Sequence, residues 1–444
     1  MSRHVIGISV GSQNTVVGVL KGSVVDIILS ETSSRCVPTL TAFNYRERSF
    51  GDAAFSTIKS NYLRTISYPN RYLGLKSDSP FLEEEKKYET ALSSVDQNGK
   101  VIFEIDYKGE KEIVYPENAM GIYFNKLKQN WMKAGYETKD VVVSVPDYYT
   151  VAERKAMIDA INIADLNCTA LINESSSVAL AYGWFKRTTF EEKPRIVAFV
   201  DMGQSKTTIS YVSFTKTTQK VVSVTTERNC GAREFDLNLA KFFSDVFKKK
   251  HGLEPIKSVK IRLRMMDAIS KTRKILTVNK EASLSVESLM DDEDLHHVLT
   301  RDEFEKIISP TVQNFKNVIK NSLANLEKDA KLTLQDLHSI EMVGDAVRTP
   351  CIQEAIRETF GMDLGKSLMP DECMARGSTL FAAMNSPYFT FKDFNIEHFN
   401  YYSIFIEYPF LSKFIENKNK IKSLIFIINY LLLIINYFSY SINF

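Results

Sequence analysis

An apolar run, a glycine followed by small polar residues, and a second apolar run occur as VIGISVGSQNTVVGVL at 5–20 and again as RIVAFVDMGQSKTTISYV at 195–212. Each pattern predicts two strands joined by a tight turn, opened by Gly11 in the first copy and by Gly203 in the second. Two such hairpins about 190 residues apart predict two similar lobes facing one cleft, because successive backbone N–H groups in turns of this kind can cradle phosphate. A strand, a glycine turn and a strand also meet by chance in mixed proteins, so the repeat alone leaves coincidence open.

Between and after the hairpins, short apolar runs alternate with longer helical periodicities, the rhythm of an α/β protein. DVVVSVPDYY (140–149) predicts a buried strand stopped by Pro146. TVAERKAMIDAINIADL (150–166) predicts a helix capped by Thr150 with Glu153 three residues on, its apolar face carrying Ala152, Met157, Ile161 and Ala164. Residues 233–279 read as mostly helical with solvated Lys and Arg, and 339–361 as strand, glycine turn and helix. From about residue 387 the character changes, and no charge follows Lys422. The last stretch is long enough to span a bilayer, but Asn429 and Asn436 interrupt it and no positive charge follows. A tail anchor, a packed helix and translated non-coding sequence all compete, and the abrupt bias towards Asn, Lys, Ile, Leu, Phe, Tyr and Ser favours the last.

With 444 residues the chain exceeds the size of one growing core, so several subdomains are expected. A net charge of +2 gives no electrostatic reason to expect nucleic acid. Cys36, Cys168, Cys230, Cys351 and Cys373 are scattered and odd in number, which argues against a disulfide framework or zinc site and fits a reducing cytosol. No signal peptide is read at the N-terminus.

Several motifs fail on spacing. GMDLGKS (361–367) has three residues between Gly361 and Gly365 where a P-loop needs four. His296 and His297 lie in an acidic stretch, DDEDLHH, and read as solvated. What remains is a set of glycine turns at strand ends: Gly11, Gly203, Gly231 and Gly344. Glycine suits such places because the backbone must take φ > 0 or approach a ligand closely. Asp201, ending its apolar strand, is placed either to hold a hydrated Mg2+ by outer-shell contact or simply to cap the turn.

VVVSVPDYYTVAERKAMIDAINIADLNCTALINESSSVALAYG resembles the matching stretch of the heat-shock protein 70 superfamily. EEKPRIVAFVDMGQSKTTISYVSF and LSVESLMDDEDL resemble its large, 110-kilodalton branch, and SSRCVPTLTAFNYRERSFGDAA, GAREFD and PDECMARGSTLFAAM follow in family order. The resemblance covers residues 3 to about 405 and implies an actin-like ATPase fold with two duplicated ribonuclease-H-like lobes around a nucleotide cleft. It implies a nucleotide-binding domain over 1–386, with lobe I about 1–190 plus 366–386 and lobe II about 191–365. Residues 387–407 then resemble a linker and the first strand of a substrate-binding domain, and 408–444 form the low-complexity apolar tail.

By position, the resemblance implies that Gly11, Ser12, Gln13 and Asn14 form one phosphate loop and Gly203, Gln204 and Ser205 the other. Arg273, Lys274 and Thr277 fall on the helix that packs on adenosine, Gly344, Asp345, Ala346 and Arg348 form the adenosine turn, and Asp371 lies nearby. Pro146 and Arg154 match residues that relay nucleotide state, and Glu174 matches the active-site glutamate. The departures are Ser9 for an aspartate, Asn70 for the catalytic lysine, Lys206 for a threonine, Thr208 for a second aspartate and Asp345 for a glycine. Losing two carboxylates and a lysine weakens the hold on Mg2+ and on the attacking water, so hydrolysis is expected to be weak or absent. ATP or ADP binding is expected to be weakened but retained through backbone amides, with Lys206 able to supply a positive charge in place of a poorly held metal.

The function so implied is that of a cytoplasmic co-chaperone that can also be nuclear: a nucleotide-exchange factor for a heat-shock 70 partner in protein folding and the stress response. An ATP-driven peptide-binding chaperone and a decayed, inactive copy are the alternatives. No nucleic-acid partner is expected, and no membrane unless the apolar tail is real.

Overall fold

The computed structural model describes residues 4–22, 24–45, 47–389 and 394–402, so the readings of the 408–444 tail lie outside the described residues. The first hairpin is β1 (Ile6–Val10) and β2 (Asn14–Lys21), continued by β3 (Val24–Ile27); β4 (Asp140–Val145) and β5 (Asn167–Asn173) complete the main order β5-β4-β1-β2-β3. β1, β2 and β3 are antiparallel, whereas β4 runs parallel to β1 and β5 parallel to β4. The second hairpin is β6 (Arg195–Met202) and β7 (Thr207–Phe214), followed by β8 (Thr218–Glu227), β9 (Leu337–Val343) and the two-residue β10 (Leu364–Gly365). Their order, β10-β9-β6-β7-β8, repeats the first sheet strand for strand and direction for direction. This is the duplication expected of two ribonuclease-H-like lobes. β11 (Asn395–Glu397) extends the second sheet by pairing parallel to β8.

The strands read as nearly continuous apolar runs because both faces of each sheet are covered. Along β1, Ile6, Ile8 and Val10 join α1 (Pro116–Lys133) and α2 (Val151–Ile163) through Met120, Phe124, Trp131, Met157 and Ile161. The helix α2 starts as its sequence predicts, with Thr150 and Glu153 forming a reciprocal capping box. On the second sheet, Ala198, Val200 and Met202 face α4 (Ala232–His251), α5 (Val259–Leu276), α6 (Arg301–Ala330) and α7 (Pro350–Phe360) in the largest core.

The chain passes from the first sheet to the second through α3 (Glu174–Lys186) and returns through α8 (Cys373–Met384). These two helices cross between the sheets at a place with no room for a side chain: a Cβ on Gly377 would lie 1.8 Å from the Ser177 carbonyl oxygen. Ser177 Oγ donates to Met374 O at 2.6 Å and meets Ser378 Oγ at 3.1 Å. Gly7 and Gly18 let α8 lie directly on the first sheet, against Thr379 and Ala375.

Two small sheets, one built on Leu40–Phe43 and one on Val101–Tyr107, and the hairpin Glu281–Met290 with Glu293–Thr300 complete the fold. That hairpin corrects the reading of the adjacent histidines as a solvated pair. His296 is exposed, but His297 is half-buried, 3.1 Å from Glu303 and edge-on to Phe243, because alternate strand residues face opposite sides. All five cysteines are free. Among the described residues, no helix is long and apolar enough to cross a membrane.

Candidate functional site

The two glycine corners close in the same way. Gly11 N–H donates to Asn14 O and Gly203 N–H to Lys206 O, both at 3.0 Å. They face each other across the cleft, and Ser12 Oγ lies 2.6 Å from Ser205 Oγ. The start of α4 docks on the second corner, with Ala232 N–H donating to Gly203 O at 3.0 Å and Arg233 N–H to Gln204 O at 2.7 Å. Gly231 permits this approach, since a Cβ there would lie 2.6 Å from the Gln204 carbonyl. Gly344 has φ +82°, and a Cβ on it would meet Met202 O at 2.4 Å and Asp201 Oδ1 at 2.8 Å. Three of the four glycines singled out from the sequence therefore gather around the second corner, and Gly11 stands opposite.

Beneath the corners lies a buried charged floor. Lys206 Nζ is 2.5 Å from Glu174 Oε2 and 3.4 Å from Asp201 Oδ2, and all three side chains are almost wholly enclosed. Burial works against the Lys206 ammonium, but the Glu174 and Asp201 carboxylates overcome it and hold the group protonated well above the usual lysine range. Asp147 lies in the same floor, pushed up by burial and held by the Ser175 hydroxyl and by Ser175 N–H at 3.1 Å. Ser9 and Thr208 are buried and uncharged, and Thr208 Oγ1 contacts Thr226 Oγ1 at 3.1 Å. Asn70 is buried as well: its backbone oxygen accepts from Tyr149 OH at 2.6 Å, and its Oδ1 has no partner.

These residues do not fit a divalent metal. Mg2+ demands near-octahedral oxygen ligation at about 2.1 Å, whereas the carboxylates that would serve it already hold an ammonium. Among the described residues, no cluster of three acidic, histidine or cysteine side chains converges as a metal site.

On the side where the sequence resemblance places adenosine, the exposed Arg348 pairs with Asp371 at 3.2 Å and lies 3.7 Å from Asp345. Lys274 is exposed, and Thr277 Oγ1 donates to Lys274 O at 2.7 Å, closing the end of α5. Arg273 on the same helix is buried, and its guanidinium is committed to Asp236, at 2.6 and 3.3 Å.

Sequence reasoning missed the cleft mouth. Glu85, buried, accepts from Arg71 on one side and from Arg233 Nη1 at 2.7 Å on the other. Arg71 also donates to Tyr148 OH at 2.8 Å and to Arg228 O at 3.2 Å. Arg228 pairs with Glu153 at 3.2 Å and stacks over Phe81 and Tyr148. Arg233 stands inside the quoted GAREFD, but Glu85 belongs to an EEEKK run that reads as a solvated helix face.

Beside this network, Pro146 O accepts from Tyr149 N–H at 3.0 Å. Arg154 donates to Tyr149 O at 3.1 Å and to Asn173 Oδ1 at 2.7 Å. The β11 segment lies over this region: His398 Nδ1 is 2.8 Å from Ser176 Oγ, and Tyr402 OH donates to Tyr148 O at 2.6 Å. Burial, with the Arg154 charge adding to it, pushes His398 down from 6.5 to about 4. The unfolded ring is protonated near pH 6.5 and the folded one only near pH 4, so its contribution to stability is complete above pH 6.5 and is lost as pH falls towards 4. At most about 3 kcal/mol is involved. Protection of the Asn395 amide, which donates to Thr217 O, taken relative to its intrinsic exchange rate at each pH, is expected to fall between pH 7 and pH 5 in the wild type and much less in His398→Gln; an equal fall in both would contradict this role.

A family profile described as Hsp70 protein matches residues 5–422. A heat shock protein homolog of Saccharomyces cerevisiae is 32% identical over 404 residues, which cover 90% of this chain and 57% of that protein. Heat shock protein hsp88 of Neurospora crassa is 35% identical over 403 residues, covering 90% and 56%. The 97 kDa heat shock protein of Strongylocentrotus purpuratus is 33% identical over 408 residues, covering 91% and 45%. The chain spans about half the length of the curated relatives it matches.

Proposed function

Because the chain belongs to the Hsp70 family, with its actin-like ATPase fold, we propose that it is a nucleotide-exchange co-chaperone: it embraces the nucleotide domain of a heat-shock 70 partner and opens that partner's cleft so that ADP leaves. Exchange of this kind needs a stable closed conformer and no turnover. The observation that carries the reading is the direct meeting of the two corners, Ser12 against Ser205, over a floor in which Ser9, Asn70 and Thr208 supply no catalytic charge. In this reading ATP is bound weakly, by the turns at Gly11, Gly203 and Gly344, whose own N–H groups are given to Asn14 O, Lys206 O and Pro370 O so that the neighbouring amides of each turn carry the contact, and it is hydrolysed slowly or not at all. The relatives, named as heat shock proteins, support a chaperone setting, and five free cysteines suit a reducing cytoplasm.

The test is release of fluorescent ADP preloaded on a heat-shock 70 protein. Adding this chain is expected to speed release by about tenfold or more, equivalent to about 1.4 kcal/mol off the barrier. An unchanged rate rejects exchange and favours a decayed copy.

A further inference from the structure

We propose that Lys206 is a built-in counter-cation occupying the place of a divalent metal at the Asp201–Glu174 pair, so that the two lobes close on each other without Mg2+ or nucleotide. The proposal deepens, and rests on, the reading of this cleft as the clamp of an exchange factor.

The geometry spans the cleft. Glu174 opens α3, directly after the last strand of the first sheet, whereas Asp201 and Lys206 flank the glycine corner of the second sheet. The 2.5 Å contact between Lys206 and Glu174 therefore ties one lobe to the other, and Asp201 shares the same ammonium. A dication brought to this floor meets a positive charge already in contact with both carboxylates and must displace it. Asn70, projecting from the first lobe, brings no charge of its own.

The other contacts between the lobes are equally direct. Ser12 meets Ser205 beside the floor. Glu85 of the first lobe holds Arg233 of the second at the mouth, Glu153 holds Arg228, and Lys59 reaches Asp267 at the rim. None of these pairs has a place for a phosphate or a metal between its members. An ordinary metal-dependent clamp leaves its acidic residues mutually repelling until a cation arrives; here the repulsion is answered from within the chain.

Hydrogen exchange of the full chain tests this, read at amides 9–16 and 201–208 in EDTA alone and then with Mg2+, in both cases without nucleotide. If a divalent metal were the closing element, Mg2+ at about 100 times its Kd would raise protection by about 100-fold. We expect a change below about threefold, and a rise above that value overturns the proposal. The variant Lys206→Thr should exchange faster in EDTA and recover protection with Mg2+; protection in EDTA equal to that of the wild type also overturns it. If the variant does not fold, the wild-type comparison alone decides. No partner enters the measurement, so its failure is distinct from a failure of exchange, which ADP release reads separately.

Discussion

Glu85→Ala is expected to cost about 3–5 kcal/mol of folding stability, because removing one member of a buried charge network leaves the others uncompensated. Glu85 is 2% exposed, and burial alone would raise its carboxyl; Arg71 and Arg233 more than reverse that and keep it ionised. Without it, two guanidinium groups, each 4% exposed, would face each other across the cleft mouth. Arg71 keeps Tyr148 and the Arg228 carbonyl, and Arg233 keeps Asn229 Oδ1 at 2.7 Å, so neither is stripped of every partner. Urea denaturation of Glu85→Ala, Arg233→Met and the double variant measures the coupling. A double variant more stable than Glu85→Ala is the expected result; strictly additive losses would show that the carboxylate and Arg233 do not act on one another.

Gly377→Ala should be at least as damaging although it adds a single methyl group. Overpacking a tight core generally costs about 1–3 kcal/mol, and here the added carbon would meet the Ser177 carbonyl at 1.8 Å, an atom of backbone that no rotamer change can clear. The crossing of α3 and α8 must open, and with it the two chain passages between the sheets described above. Gly22→Ala is the control: nothing lies within 4 Å of a Cβ there, and the cost is limited to that of a left-handed φ of +63°, about 1 kcal/mol. Thermal unfolding should separate the two variants clearly, and equal midpoints would refute the account of the crossing.

Short-range chemistry was the most legible part of the chain. The paired hairpins, the strand ended by Pro146 and the Thr150–Glu153 cap all follow from residues within a few positions of one another, where periodicity and turn preference act directly. The four glycines were also readable, because a missing side chain marks a place of close approach. Long-range pairing was not. Nothing in the spacing of Glu85 and Arg233, 148 residues apart, announces that they meet, and a run of three glutamates gives no sign of which one turns inward. Arg273 shows the same limit: the resemblance places it on the helix that packs on adenosine, while the Asp236 that engages it lies 37 residues earlier, beyond any local pattern. Lys206 was readable as a spare positive charge. That it reaches across to the opposite lobe depends on how two sheets come together, which no local pattern records.

β11 bears on how the protein avoids joining with copies of itself. The outer margin of β8 offers unpaired amides and carbonyls, the kind of template on which a foreign strand readily assembles. Three residues from far downstream occupy Thr218–Lys220 of that margin, which makes Asn395–Glu397 a guard against aggregation as well as a piece of the fold.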